Sequence, residues 1–191
     1  MTSYDESTHF EHDGFLLRYK IVKDVNNPPP WRNEDGHGVV NMLRPLRHMP
    51  TSARSLYSSS SGVIWYYDMA ASRVKAVGEG WGLPIKESTG LTSDQIIDVA
   101  IEHDFEELKR WCDNEWWYVG VEVTFEDAKE VNPKQASLWG IHSDDIEYIE
   151  RIKHELAEET LPQGKFERAL HRVAKSDDLT HSIEENEDGR T

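Results

Sequence analysis

The chain is predicted to be an α+β protein, with a small antiparallel sheet of three to four strands and helices packed on one face. Three observations carry this expectation. Phe15 to Lys23 and Trp117 to Phe125 each alternate apolar and polar residues at the strand period. Between them, Thr92 to about Asn114 repeats its apolar residues at the helical period instead. The resulting order is strand, long connection, two helices, hairpin, helices. That is not the βαβ alternation a parallel sheet needs.

Taken from the start, residues 1–13 are polar and are expected to be flexible, with the domain occupying residues 14–175. In the first strand Phe15, Leu17, Tyr19 and Ile21 share one face. Asn26-Asn27-Pro28-Pro29-Pro30 ends it, because proline cannot donate to a ladder. Trp31 to Ser61 shows no clear period, and Asp35-Gly36-His37-Gly38 is its tightest turn signal. A stretch this long is either a functional loop or conceals a short strand, for which Leu56 to Tyr67 is the candidate.

Asp68 is placed to cap a helix from Met69 to about Glu79, which Gly80-Trp81-Gly82 and Pro84 terminate. Thr92 and Gln95 have capping-box spacing. Ile97, Ile101, Phe105, Leu108 and Cys112 then form the apolar stripe of the next helix. After the second strand, Ser137 to Ile141 is expected to return as its hairpin partner. Ser143 is read as the cap of a helix that begins at Asp144 and is broken by Pro162-Gln163-Gly164. A shorter helix is expected around Phe166 to Val173. Residues 176–191 are acidic and nearly free of apolar side chains, the composition of a disordered tail.

The formal charge of −15 is unevenly placed. Residues 1–90 hold ten Lys/Arg and ten Asp/Glu, whereas residues 91–191 hold eleven against twenty-six. A field of that sign repels nucleic acid and anionic membrane and attracts basic protein surfaces. No run reaches the roughly 18 apolar residues of a membrane span. The first residues have neither the basic start nor the apolar run of a secretory signal. The single Cys112 excludes an internal disulfide framework and suits a reducing compartment. The expected location is the cytoplasm.

Candidate sites follow from spacing. His154-Glu155-x-x-Glu158 resembles a zinc-protease helix, but Glu158 stands where the second histidine ligand belongs, so a solvated helix face is the better reading. His9-x-x-His12-Asp13 lies in the terminus expected to be mobile, a poor place for a preorganised metal site. Neither a metal nor another cofactor is therefore expected. Gly78, Gly80 and Gly82 end a helix and do not form a phosphate loop. Cys112 falls on an apolar stripe and reads as a small buried hydrophobe, slow to react. The Asp35–His37 loop has the composition of a ligand or catalytic loop, with Trp31 and Trp81 as its aromatic neighbours, but also that of an ordinary turn.

The acids are harder to set aside. Asp94, Asp98, Glu102 and Glu106 recur every four residues and form one stripe along a helix. Like charges at this spacing cost roughly 0.2–0.5 kcal/mol per pair, about 1 kcal/mol for three pairs. Asp144, Asp145 and Glu147 begin a second acidic helix.

Several segments together carry a family resemblance. They are Pro30-Trp31, Asp35-Gly36-His37-Gly38, Tyr66-Tyr67-Asp68, Gly80-Trp81-Gly82, Trp111-Cys112-Asp113-Asn114, Val119-Gly120-Val121 and Ser137-Leu138-Trp139-Gly140-Ile141. Spanning about residues 14–159 in order, they resemble a family of uncharacterised proteins encoded by tailed bacteriophages and prophages. The resemblance implies an accessory protein made inside a bacterium, and it transfers no catalytic residue.

The leading expectation is a non-enzymatic inhibitor of a host nucleic-acid-handling protein, an anti-defence or host-takeover factor that imitates DNA. It would meet a basic host surface through Asp94, Asp98, Glu102, Glu106, Asp144, Asp145 and Glu147, without binding nucleic acid or membrane itself. The alternative is a nucleotide or small-molecule domain, or an enzyme, centred on Trp31, Asp35, His37 and Trp81.

Overall fold

A computed structural model describes residues 7–82, 90–125 and 134–161. The first elements are strand β1 (Ser7–His12), strand β2 (Phe15–Lys23), one-turn helix α1 (Pro30–Asn33) and strands β3 (Val40–Leu43), β4 (Ala53–Ser58) and β5 (Ile64–Asp68). Helix α2 (Met69–Glu79), helix α3 (Ser93–Cys112), strand β6 (Tyr118–Phe125), strand β7 (Lys134–His142) and helix α4 (Ile146–Thr160) follow. Mixed helices and antiparallel strands make the chain α+β, as its periodicities predict. The strands form two sheets, with orders β1-β2-β6-β7 and β3-β5-β4. The chain divides into two compact units, residues 26–117 and the flanking segments 1–25 and 118–191.

In the flanking unit, every neighbouring pair of strands is antiparallel. Residues 7–12, expected to be loose, form β1, because Asp13 and Gly14 both adopt positive φ (51° and 78°) and close a two-residue hairpin. Such a turn matches the natural twist of paired strands. Phe15, Leu17 and Ile21 of β2 are buried with Val119, Val121, Val123 and Phe125 of β6. Ile149, Ile152 and Leu156 recur on the buried stripe of α4, which packs on β6 and β7. The cap of α4 is Asp145, which accepts from Tyr148 N at 3.0 Å; Ser143 is buried two residues earlier. Strand β7 is longer than the segment Ser137 to Ile141, and its register shifts against β6 between Val119 and Val121. There Trp139 lies over Gly120, where an added Cβ would come within 2.4 Å of the indole.

In the other unit, the stretch expected to be irregular contains α1, β3 and β4. Leu56 to Tyr67 is not one strand: it contains parts of β4 and β5 with a turn between them, closed by Ser59 N to Val63 O at 2.8 Å. Asp68 caps α2 by accepting from Ala71 N at 3.1 Å, and Gly80 ends it in the left-handed conformation. The Thr92–Gln95 capping box is formed at the start of α3. Leu56, Tyr67, Ala76, Ile97, Ile101, Phe105 and Leu108 make the core of this unit, with Cys112 half-buried at its edge. No helix among the described residues is long and apolar enough to cross a membrane.

The segments 83–89, 126–133 and 162–191 lie outside the described residues, and with them the expected helix around Phe166 and the acidic tail.

Candidate functional site

Helix α3 places one carboxylate on its apolar face. Asp104 sits between Ile101, Phe105 and Leu108 and is 8% exposed. A carboxylate so deprived of water must recover its hydrogen bonds from the protein. Asp104 Oδ1 lies 2.6 Å from His37 Nδ1, and Oδ2 accepts from Gly38 N and Tyr67 OH, each at 2.7 Å. The loop strand is secured beside it by Val39 N, which donates to Ser72 Oγ at 2.8 Å, and by Lys75 Nζ, which donates to His37 O.

Glycine is required in this loop by the close approach of its neighbours. A Cβ on Gly38 would lie 2.1 Å from Tyr67 OH and 2.5 Å from Ser72 Oγ. Any larger residue would push the loop off the carboxylate that holds it.

The electrostatics follow from the geometry. Burial opposes a charge on His37, but its hydrogen bond to Asp104 and the charges of Asp104, Glu34 and Glu107 outweigh burial and raise its pKa above 6.5. Burial chiefly raises the pKa of Tyr67, so its phenol keeps the proton it donates to Asp104. With Nδ1–H committed to Asp104, His37 turns Nε2 toward Glu34, whose Oε2 is 3.6 Å away. Nε2 is buried and makes no hydrogen bond among the described residues. A general base must reach the proton it takes to within about 3 Å. Through these contacts Asp104 acts as a charged fastener joining the 34–39 loop to α3 and β5.

Of the four residues of the expected ligand loop, Trp31 and Trp81 both pack against the core of this unit, and Lys75, which donates to His37 O, lies 5.9 Å from the Trp81 ring centroid. Trp31 packs in an aromatic group with Trp65 and Trp111, ring centroids 5.9 and 5.5 Å away. Asp35 is exposed, and the carboxylate that His37 meets is Asp104. Trp81 donates to Glu79 Oε2 at 2.8 Å.

The acidic stripe is present on α3 but is not bare. Arg54 of β4 places Nη1 2.6 and 2.7 Å from the two oxygens of Glu102 and Nη2 3.1 Å from Glu106. Its guanidinium also stacks 3.6 Å from the Phe105 ring centroid. Arg73 of α2 pairs with Asp94, at 3.2 Å, and with Asp98. Two arginines therefore span four carboxylates and reduce the local charge of the stripe to −2. The carboxylate side chains remain 81%, 63%, 52% and 54% exposed in chain order. The second acidic helix begins at Ile146 and not at Asp144: Asp144 is exposed ahead of α4, Asp145 is used as its cap, and Glu147 is exposed in its first turn.

Among the described residues, no three His, Cys, Asp or Glu side chains converge as a metal-binding group. No family model, curated protein or solved structure matches the chain.

Proposed function

We propose that this chain is a non-enzymatic binding protein of a tailed bacteriophage or prophage, and that it occupies the basic, nucleic-acid-contacting surface of a host protein. The observation that carries the reading is the clamped stripe of α3. Its four carboxylates are held in line by arginines from two other elements, yet each is more than half open to water. Side chains that are already ordered lose less entropy on binding. Exposed carboxylates also complement the lysines and arginines of a DNA-binding surface. Asp144, ahead of α4, and Glu147, on it, are further exposed acids in the flanking unit, and the sequence resemblance supplies the bacterial setting.

The ligand-loop reading is weaker. His37, its most reactive member, is committed to Asp104, and its other nitrogen is closed off.

The test compares the wild type with a neutral triple variant, Asp98→Asn, Glu102→Gln and Glu106→Gln. Lysine replacements would set new cations against Arg54 and Arg73, whereas amides keep the shape and much of the hydrogen bonding. Both proteins are immobilised and exposed to nuclease-treated bacterial lysate. The reading expects a protein that the wild type retains, that salt and duplex DNA release, and that the triple variant fails to hold. Equal retention by a normally folded triple variant would remove the stripe from the function. Loss of retention in His37→Ala alone would move the function to the loop.

A further inference from the structure

In the flanking unit, two sequence features that carry no chemistry separately are brought together by the fold. The hairpin turn at Asp13 and Gly14 fixes β1 against β2, and His12 lies opposite Phe15 in that register. His154 and Glu158 stand one helical turn apart on α4. His12 Nδ1 lies 2.9 Å from His154 Nδ1, and His12 Nε2 lies 2.7 Å from Glu158 Oε1. Phe10 packs edge-on against the His154 ring, centroids 5.7 Å apart, and restricts its orientation.

The hydrogen-bonding roles follow from the carboxylate. Glu158 can only accept while ionised, so His12 must carry its proton on Nε2. Neutral His12 then presents the Nδ1 lone pair to His154 Nδ1. A single proton between the two Nδ1 atoms satisfies the pair, and that proton occupies the position a Lewis acid would take. A ligating imidazole whose far N–H is held by a carboxylate is the usual outer support of a metal site, since the carboxylate fixes the tautomer and increases ligand basicity.

We propose that His12 and His154 form a two-histidine site for a divalent transition metal of the zinc, nickel or cobalt class, with Glu158 as its positioning carboxylate. Two imidazole nitrogens about 2.0–2.1 Å from a tetrahedral ion stand about 3.3 Å apart. The present 2.9 Å separation therefore opens by about 0.4 Å, a small adjustment for the ring of His154, which lies on the exposed face of α4. Water completes the coordination. Imidazole donors favour these metals over magnesium and calcium, which take oxygen ligands.

The probe is the metal alone, added as ZnCl2, NiCl2 or CoCl2 to the full chain, with MgCl2 as control. Melting temperature and the imidazole nitrogen NMR signals are read together. The proposal expects stabilisation by the transition metals but not by magnesium, with shifts in the signals of His12 and His154. His12→Ala and His154→Ala, each melting normally without metal, should abolish the effect. Glu158→Gln should weaken it about 10- to 100-fold, and His9→Ala should leave it unchanged. The proposal is overturned if no stabilisation occurs. It also fails if both alanine variants bind as well as the wild type, which would assign the metal to other histidines.

Discussion

Replacing Asp104 separates the charge of the buried site from its shape. Asp104→Ala leaves Gly38 N–H, Tyr67 O–H and the His37 imidazole without their shared acceptor. Breaking a buried ion pair from one side costs about 3–5 kcal/mol, and the isolated partners cannot regain water at this depth. Asp104→Asn keeps the volume and an acceptor for Gly38 and Tyr67, so its loss should be smaller, about 1–3 kcal/mol. The pH dependence distinguishes charge from packing. His37 has a higher pKa folded than unfolded, so the folded state binds its proton more tightly. Stability from this source is full below the unfolded value of 6.5 and is lost as pH rises through the folded pKa. The wild type minus Asp104→Asn difference in unfolding free energy should therefore shrink as pH rises above about 6.5. Intrinsic fluorescence is a suitable probe, because six of the seven tryptophans lie in the unit that contains the site. Denaturant titrations at a series of pH values and one ionic strength supply the data. A difference that stays constant or grows with pH would refute the charged-fastener account.

Two further outcomes follow from the same packing. Gly38→Ala should destabilise this unit by about 1–3 kcal/mol or more, since its Cβ would meet the buried Tyr67 and Ser72 hydroxyls; urea denaturation checks it, and a stability equal to the wild type would show that the loop can move aside freely. Cys112 should alkylate slowly near neutral pH and faster as pH approaches about 11, because burial pushes its thiol up to about 11; complete labelling within seconds at neutral pH would contradict this.

Elements with a strong local period were legible in the sequence, and so were their caps. The α3 stripe, the Thr92–Gln95 box, the Asp68 cap and the β2 alternation all appear where local chemistry demands them, and β6 forms a strand as expected but starts at Tyr118 and is buried on both faces instead of alternating. Asp13-Gly14 was equally readable as a hairpin turn, but the polar composition around it masked β1. The break between β4 and β5 was marked by the run Ser58 to Ser61 followed by Gly62, a turn composition that the single-strand reading of Leu56 to Tyr67 passed over. Asp104 also left a trace: it is the one acid on the apolar face of α3, where a solvated residue has no place. Its partners left none, because His37 and Tyr67 are 67 and 37 residues away and no local pattern encodes such a meeting.

The same distance effect changes the meaning of the acidic residues. Counted along α3, Asp94, Asp98, Glu102 and Glu106 are three repelling pairs whose cost suggests selection for a purpose. In the fold, Arg54 and Arg73 each bridge one i,i+4 pair, and only Asp98 and Glu102 remain an unbridged step. Repulsion therefore no longer requires a functional explanation. The support for the proposed function is instead the arrangement: the bridges leave every carboxylate largely in water, where exposed ion pairs add only about 0–1 kcal/mol to stability. A row of ordered, exposed carboxylates that contributes so little to the fold is available to a basic partner. The decisive comparison is consequently a change that removes the charge while preserving the fold, and the amide triple variant makes that change.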